Sequence, residues 1–149
     1  MDRHRNNIRR AIPGDVYLRL CQSRALIDDR CHERLRLEEI ARTACLSQYH
    51  FIRLFKRAFD ITPHKYLIKR KISVARKMLI SGEYTVTDVC FEMGFESLGS
   101  FSTLFRRETG HPPVAYLSRL FMGMPVSTAT FPVNFPACYV FMYRPTGSS

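Results

Sequence analysis

The chain of 149 residues carries a formal charge of +10 and an isoelectric point of about 9.8. Residues 1–121 hold all 13 carboxylates and all but one of the 23 Lys and Arg residues, so this part alone carries +9. The excess favours a polyanionic partner, nucleic acid before a membrane surface. No segment reaches the ~18 apolar residues of a membrane helix, and no apolar run follows the basic N-terminus as a signal peptide requires.

The five cysteines are odd in number and widely spread, and no pair has the spacing of a zinc site or a redox motif. They are Cys21, Cys31, Cys45, Cys90 and Cys138. We expect them to act as small apolar residues in the reducing cytoplasm. The five histidines have no neighbouring nucleophile or metal-ligand spacing either. We therefore expect no catalytic residue, no metal, no cofactor and no enzyme activity.

The first structured region is predicted to follow a basic arm over residues 1–14. Apolar residues in DVYLRLCQSRALIDDRC (15–31) recur at helical spacing, with Val16, Leu20 and Ile27 on one side. In LEEIARTACLSQYHFIRLF (37–55), helical spacing continues on both sides of a short break, and Ser47 can cap the second helix. A first helix-turn-helix subdomain is thus predicted over residues 15–62.

A long linker helix is predicted over residues 63–81, with Thr62 as its cap and Pro63 at its first position. It would run ~28 Å at 1.5 Å per residue, close to the ~34 Å between successive major-groove faces of B-DNA. A helix of that length could hold two DNA-reading helices about one turn apart, or simply fill the core of a bundle. The lysines expected in solvent are Lys65, Lys69, Lys71 and Lys77, and the residues expected inside are Tyr66, Leu67, Ala75, Met78 and Leu79.

The second half of the chain repeats the first. FKRAFDITPHKYL (55–67) returns fifty residues later as FRRETGHPPVAYL (105–117), and VTDVCFEMGFESLGSFSTLF (86–105) parallels residues 37–55 with one additional residue after the turn. Gly94 suits the turn, Thr85 and Asp88 form a capping box, and Ser97 can cap the next helix. With a closing helix over 113–121, a second subdomain is predicted at 82–121. The fold class is therefore all-α, with about seven helices in two helix-turn-helix subdomains joined by the linker helix.

Over residues 35–117 the sequence resembles the DNA-binding domain of the AraC/XylS family of bacterial transcription regulators. The resemblance implies that each subdomain presents a recognition helix to the major groove of double-stranded DNA. Typical members add a sensing and dimerising domain, for which the 36 residues before the first motif are too few. The chain thus resembles the short members that bind asymmetric sites as monomers, or it is a fragment. The expected function is sequence-specific transcription regulation, as an activator that contacts RNA polymerase, without a membrane partner.

The first recognition helix carries the stronger base-reading signal. With Phe51, Leu54 and Phe55 facing the core, helical geometry leaves an outer stripe. The stripe residues are Gln48, Tyr49, Ile52 and Arg53. Arg53 can bond bidentately to guanine, Gln48 can read adenine, and Tyr49 or Ile52 can pack on a thymine methyl. The contact positions of the family fall on Tyr49, Ile52 and Arg53. The alternatives for Arg53 are a phosphate contact or a solvated side chain.

The second recognition helix departs from the family pattern, which commonly has Arg where this chain has Thr103. Ser102 and Thr103 are expected to contact bases weakly, and Leu98 and Gly99 complete the outer stripe. This half is expected mainly to hold phosphate. The predicted phosphate contacts are Ser47, Lys56, Arg57, Thr85, Ser97, Arg106 and Arg107. Arg36, in place of a small capping residue, and Lys71, in place of Arg, are further departures.

Residues 122–149 share nothing with the repeat and mix prolines with aromatic residues. ACYVFMY (137–143) could form a short strand or pack across the domain. The tail could be a poorly ordered extension or a site for a protein partner. The alternative function is therefore that of a degenerate family member, which acts by binding RNA polymerase or another regulator through this apolar tail.

Overall fold

The computed structural model describes residues 12–122, which fold into seven α-helices and, within that range, no strand. The helices are α1 (Gly14–Asp29), α2 (Leu37–Thr43), α3 (Gln48–Phe59), α4 (Pro63–Ser81), α5 (Val86–Glu92), α6 (Leu98–Thr109) and α7 (Pro113–Met122). The predicted all-α architecture is confirmed, with α2–α3 and α5–α6 as helix-turn-helix units and α4 between them. The predictions for the N-terminal arm and for the tail, including a strand at 137–143, concern residues that lie almost entirely outside the described range.

Helix starts are specified by hydroxyl side chains that accept a hydrogen bond from the backbone N–H three residues later, which offsets an otherwise unpaired donor. The capping residues are Ser47, Thr62, Thr85 and Ser97. At α5 the Asp88 carboxylate accepts from the Thr85 N–H at 2.9 Å, which completes the predicted capping box. Hydrogen bonds from Thr85 hold the pKa of Asp88 below its ordinary value. By contrast, α2 begins at Arg36 without a side-chain cap.

Two apolar cores form, one in each half of the chain. The first contains Leu20 and Ile27 of α1 with Phe51 and Phe55 of α3, all fully buried. The second gathers residues from the remainder of α4 and from α5 and α6. Its members include Ile72, Leu79, Val89, Phe101 and Phe105. Because α4 supplies Leu67 to the first core and Ile68 onwards to the second, one helix is packed into both halves.

The internal repeat is longer than the sequence comparison indicated, because α1 and α4 are equivalent as well. Leu20, Ser23 and Ile27 are the buried residues of α1, and each has a buried counterpart 52 residues later in α4. The counterparts are Ile72, Ala75 and Leu79. The two helix-turn-helix units begin 49 residues apart, at Leu37 and Val86, so the connection before the second is three residues shorter than the one before the first. That difference concealed the match in the sequence.

A tyrosine closes each repeat in the same way. In the first, the Arg24 Nε donates to the Tyr66 hydroxyl at 3.1 Å, and the Tyr66 ring lies 5.9 Å from the ring of Phe55. In the second, the Arg76 Nε donates to the Tyr116 hydroxyl at 2.8 Å, and Tyr116 lies 5.4 Å from the ring of Phe105. The echoed phrase therefore contains the tyrosine that joins the helix before each unit to the helix after it.

The expectation that Lys71 is exposed to solvent is wrong. Lys65, Lys69 and Lys77 are exposed as predicted, but Lys71 retains 6% of its accessible surface. Its ammonium group finds backbone carbonyl acceptors in the interior, on Glu33 at 2.9 Å and on Met93. These acceptors come from distant loops, so helical spacing within α4 could not reveal them. Burial lowers the pKa of Lys71.

Two of the cysteines behave as the small apolar residues that the sequence predicts. Cys31 and Cys90 are buried, and burial raises the pKa of both thiols. Cys45 is exposed, because it occupies the turn between α2 and α3 with a φ of 53°.

None of the helices within residues 12–122 is long and apolar enough to cross a membrane.

Candidate nucleic-acid interface

The predicted base-reading residues of the first unit share one outer stripe of α3. Phe51, Phe55 and Ala58 are buried on the opposite side of this 12-residue helix and fix its rotation against the core. The stripe consists of Gln48, Tyr49 and Arg53, which are exposed, and Ile52, which is half-buried. The Ser47 cap settles where the helix begins, so the stripe starts at its first turn. In helix-turn-helix proteins the N-terminal residues of this second helix are the ones that contact base edges.

Arg53 and Tyr49 form a pair on that stripe. The Arg53 guanidinium carbon lies 5.6 Å from the centre of the Tyr49 ring, and the ring is 69% exposed. A cation above an aromatic face is attracted by the ring quadrupole, and residues four apart on a helix are neighbours. The pair therefore places the Arg53 guanidinium beside the Tyr49 ring on the exposed stripe of α3. The i, i+4 spacing of Tyr49 and Arg53 is the signal in the sequence from which this contact could have been predicted.

The matching stripe of α6 is short of long side chains. Leu98, Gly99, Ser102 and Thr103 stand where the first helix has Gln48, Tyr49, Ile52 and Arg53. Leu98 is 40% exposed, and a Cβ atom added at Gly99 would meet no atom within 4 Å. Thr103 is exposed and Ser102 is half-buried. The position that Arg53 occupies in α3 is thus occupied in α6 by Thr103, whose side chain has one hydroxyl and no charge.

The predicted phosphate-contacting residues fall into two groups. Ser47, Thr85 and Ser97 are helix caps, so their hydroxyls already accept a hydrogen bond at the start of α3, α5 and α6. The other group consists of exposed cations in the last turns of α3 and α6. They are Lys56, Arg57, Arg106 and Arg107. Arg107 also lies 3.5 Å from the carboxylate of Glu108, which offsets part of its charge. Ser47 and Ser97 therefore stand at the starts of the two recognition helices, opposite the cations, and Thr85 stands at the start of α5.

Metal chemistry finds no support in the described part of the chain. Between residues 12 and 122, no group of three or more His, Cys, Asp and Glu side chains is placed to hold a metal ion. The arrangement offers polar and apolar side chains on two helical stripes and cations in the last turns of the same helices, which suits recognition of a polyanion.

A family model described as a helix-turn-helix domain matches residues 40–119, more than half of the chain. The chain belongs to the AraC family. Relatives of known name agree with that membership. The transcriptional activator RhaS of Klebsiella pneumoniae is 36% identical over 95 residues, and the probable transcriptional regulator LumQ of Photobacterium leiognathi is 31% identical over 90 residues. The matches cover 64% and 60% of this chain but only 34% and 36% of those proteins, so the chain spans about a third of their length.

Solved structures of AraC-family type reproduce the fold. The DNA-binding domain of AdpA, crystallised in complex with a target DNA, superposes with a TM-score of 0.67 at 28% identity. That match covers 71% of this chain and 96% of the AdpA domain. A probable AraC family regulator from Rhodopseudomonas palustris gives a TM-score of 0.62 at 22% identity, over 68% of this chain and 95% of that one. The second likeness concerns the fold alone.

Proposed function

We propose that this chain is a transcription regulator that binds double-stranded DNA sequence-specifically through two adjacent major grooves, with α3 as the dominant reader. Family membership and the likeness to the DNA-bound AdpA domain support the DNA-binding part. The proposed phosphate contacts are the three caps and the four terminal cations. The proposed base-reading residues are Gln48, Tyr49, Ile52, Arg53, Ser102 and Thr103. The expected partner is therefore a duplex of at least two half-sites.

The observation that carries the dominance of α3 is the difference between the two stripes at matched positions. Arg53, supported by the Tyr49 ring, can donate two parallel hydrogen bonds to guanine. Thr103 stands at the same position of α6 and offers a single hydroxyl. Because a good bidentate pair is worth about 1–3 kcal/mol of discrimination, the half-site under α6 should be read less strictly.

Two tandem units within one chain support binding as a monomer. Proteins with a single helix-turn-helix reach a second groove by forming dimers, whereas this chain carries one helix-turn-helix unit before α4 and another after it. The 19 residues of α4 span ~28 Å at the helical rise of 1.5 Å per residue, of the same order as one turn of DNA. The units differ in their stripes, so an asymmetric site is expected. The name of the RhaS relative favours an activator, and contact with RNA polymerase is part of that proposal.

The proposal is tested by selecting the duplexes that the full chain binds from a pool of random DNA sequences. The selection is made at near-physiological salt. We expect one sharply specified half-site and, about one helical turn away, a vaguely specified one. Two sharp halves would contradict the dominance of α3. Absence of any enriched sequence would overturn the regulator proposal and favour the alternative of a protein-binding family member.

Matched variants at one repeat position make the selection decisive. Arg53→Ala should flatten the sharp half-site, because it removes the bidentate donor and leaves the caps and terminal cations intact. Thr103→Arg should sharpen the vague half-site, because the exposed position on α6 then carries the donor that α3 already has. If Thr103→Arg leaves the second half-site as vague as before, α6 does not lie in a groove in the way that α3 does.

A further inference from the structure

Lys71 joins the two halves of the molecule through backbone groups. It lies in the middle of α4, and its Nζ donates to the Glu33 carbonyl at 2.9 Å and to the Met93 carbonyl. Glu33 belongs to the loop between α1 and α2, and Met93 ends α5. The same ammonium lies 5.4 Å from the centre of the Phe95 ring. Because a buried ammonium is costly unless its donors are paired, these partners hold the two loops at fixed places around it.

The turn of the second helix-turn-helix unit lies directly against the first half. Gly94 has a φ of 68°, and a Cβ atom there would lie 2.9 Å from the His32 carbonyl oxygen and 3.3 Å from the Lys71 Nζ. The matched residue of the first unit is Cys45, which has a similar φ of 53° and an exposed side chain. The two turns therefore share a backbone conformation, but only the second has a contact that excludes a side chain. Arg34 and Glu96 form an ion pair of 3.2 Å across the same junction.

The junction leads straight into the second recognition helix. Residues 93–97 form the turn, and Ser97 is the N-cap of α6. Since α6 has 12 residues and extends ~18 Å at 1.5 Å per residue, a small change of angle at the turn moves its stripe by several ångströms. In a protein with two recognition helices, the distance and angle between those helices set the half-site spacing that the protein accepts.

We propose that Lys71 is a positioning residue that fixes the orientation of α6 relative to α3, and thereby the half-site spacing that the chain accepts. This inference rests on the proposed function. Lys71 is not placed in contact with DNA. It acts through the loop at 32–34 and the turn at 93–97. Lys71→Met keeps most of the side-chain length but leaves the Glu33 and Met93 carbonyls without their donor, which loosens the junction.

The test measures the affinity of the full chain for three kinds of duplex. They are the selected site, the selected site with one or two base pairs inserted between its half-sites, and a duplex that contains the first half-site only. The wild type should lose about tenfold on one insertion, comparable to a mismatched base pair, and Lys71→Met should lose less than about threefold. Affinity for the duplex with the first half-site only should stay unchanged in Lys71→Met. Lys71→Arg, which keeps the donors, should retain the wild-type spacing profile, and so should Lys69→Met, which removes an exposed charge from the same helix.

Two outcomes overturn the inference. A folded Lys71→Met protein with the spacing profile of the wild type overturns it. Equal losses on every duplex, including the one with the first half-site only, also overturn it, because they indicate a general loss of folding. If Lys71→Met does not unfold cooperatively, Gly94→Ala takes its place, since it disrupts the same junction and is expected to flatten the same profile. Failure of the proposed function is separate, because it would appear in the wild type as binding without sequence preference.

Discussion

At the scale of single residues, the two recognition helices differ most in their outer stripes, the surface that the proposal places against bases. The same register carries Tyr49 and Arg53 in α3 but Gly99 and Thr103 in α6. The buried positions are conserved between the repeats, with Phe51 and Phe55 matched by Phe101 and Phe105, all fully buried. The aromatic packing of both units is therefore preserved, and α6 lacks the long side chains on the surface that the proposal places against bases.

The contact between Tyr49 and Arg53 yields a prediction about coupling. Tyr49→Ala should weaken binding to the selected site partly by releasing the Arg53 guanidinium, since an exposed cation–π pair is worth about 0.5–1 kcal/mol. In an Arg53→Ala background the cost of Tyr49→Ala should be smaller by about two- to fivefold in Kd. A double-mutant cycle on DNA affinity measures this difference.

Tyr49→Phe is the control for that cycle, because it keeps the ring and removes only the hydroxyl. We expect the coupling to Arg53 to survive in Tyr49→Phe. Additive losses for Tyr49→Ala and Arg53→Ala would mean that Tyr49 contacts a base by itself and does not orient Arg53.

Residue type alone predicted the caps but not the environment of Lys71. Ser47, Thr85 and Ser97 were identifiable because a hydroxyl before a helical run has a local partner three residues away. Lys71 has its partners 38 and 22 residues away, in loops whose meeting depends on the whole fold. A lysine in a helix is ordinarily solvated, so the sequence could not distinguish Lys71 from Lys69 or Lys77.

At the scale of elements, the start of α2 is the weak counterpart of the start of α5. Arg36 has a φ of −88° and a ψ of 143°, close to the −75° and 163° of Thr85, yet no side chain caps α2. Glu39 occupies the position in α2 that Asp88 occupies in α5. The backbone at Arg36 is thus close to the conformation of a capping residue. The Glu39 N–H instead donates to the Arg36 carbonyl at 3.1 Å, and the Glu39 carboxylate accepts from Arg30.

Arg36→Ser should raise the free energy of unfolding by up to about 1 kcal/mol, because the Ser hydroxyl offers the Glu39 N–H a side-chain acceptor in addition to the residue 36 carbonyl to which it already donates. Urea denaturation of the full chain measures the change. Arg36→Ala removes the same charge without adding an acceptor and should alter the stability little. Equal stability of Arg36→Ser and Arg36→Ala would show that the α2 start does not gain from a cap. Thr85→Ala should lose a similar ~1 kcal/mol at α5.

Element by element, the helices were predictable because apolar spacing, prolines and caps agree locally. The bounds of α4, Pro63–Ser81, match the sequence expectation. The equivalence of α1 and α4 was not predictable in the same way, because the match lies in burial and not in shared residue types. Ser23 and Ala75 are both buried at equivalent points, and Leu20 and Ile72 differ in shape. Only the packing around them shows that they occupy the same place in each repeat.

At the scale of the whole molecule, a helix-turn-helix fold and a charge of +10 are separate pieces of information. The fold places two stripes, and the charge determines how binding responds to salt. Four exposed cations stand in the last turns of α3 and α6, and each phosphate that one neutralises releases a counterion. The affinity should therefore depend on salt through these four contacts more than through the total charge.

Four phosphate contacts predict a slope of about −3.6 for the logarithm of the binding constant against that of the salt concentration. Titration of the selected duplex from 50 to 200 mM salt should lower affinity on the order of 100-fold. Arg106→Ala should reduce the slope by about 0.9 without altering the base preference. Arg19→Ala is the control, since Arg19 is paired with Asp15 at 2.6 Å on α1. If it reduced the slope equally, total charge and not phosphate contact would govern binding. A slope much steeper than four contacts allow would indicate that the arginines of residues 1–14 also bind DNA.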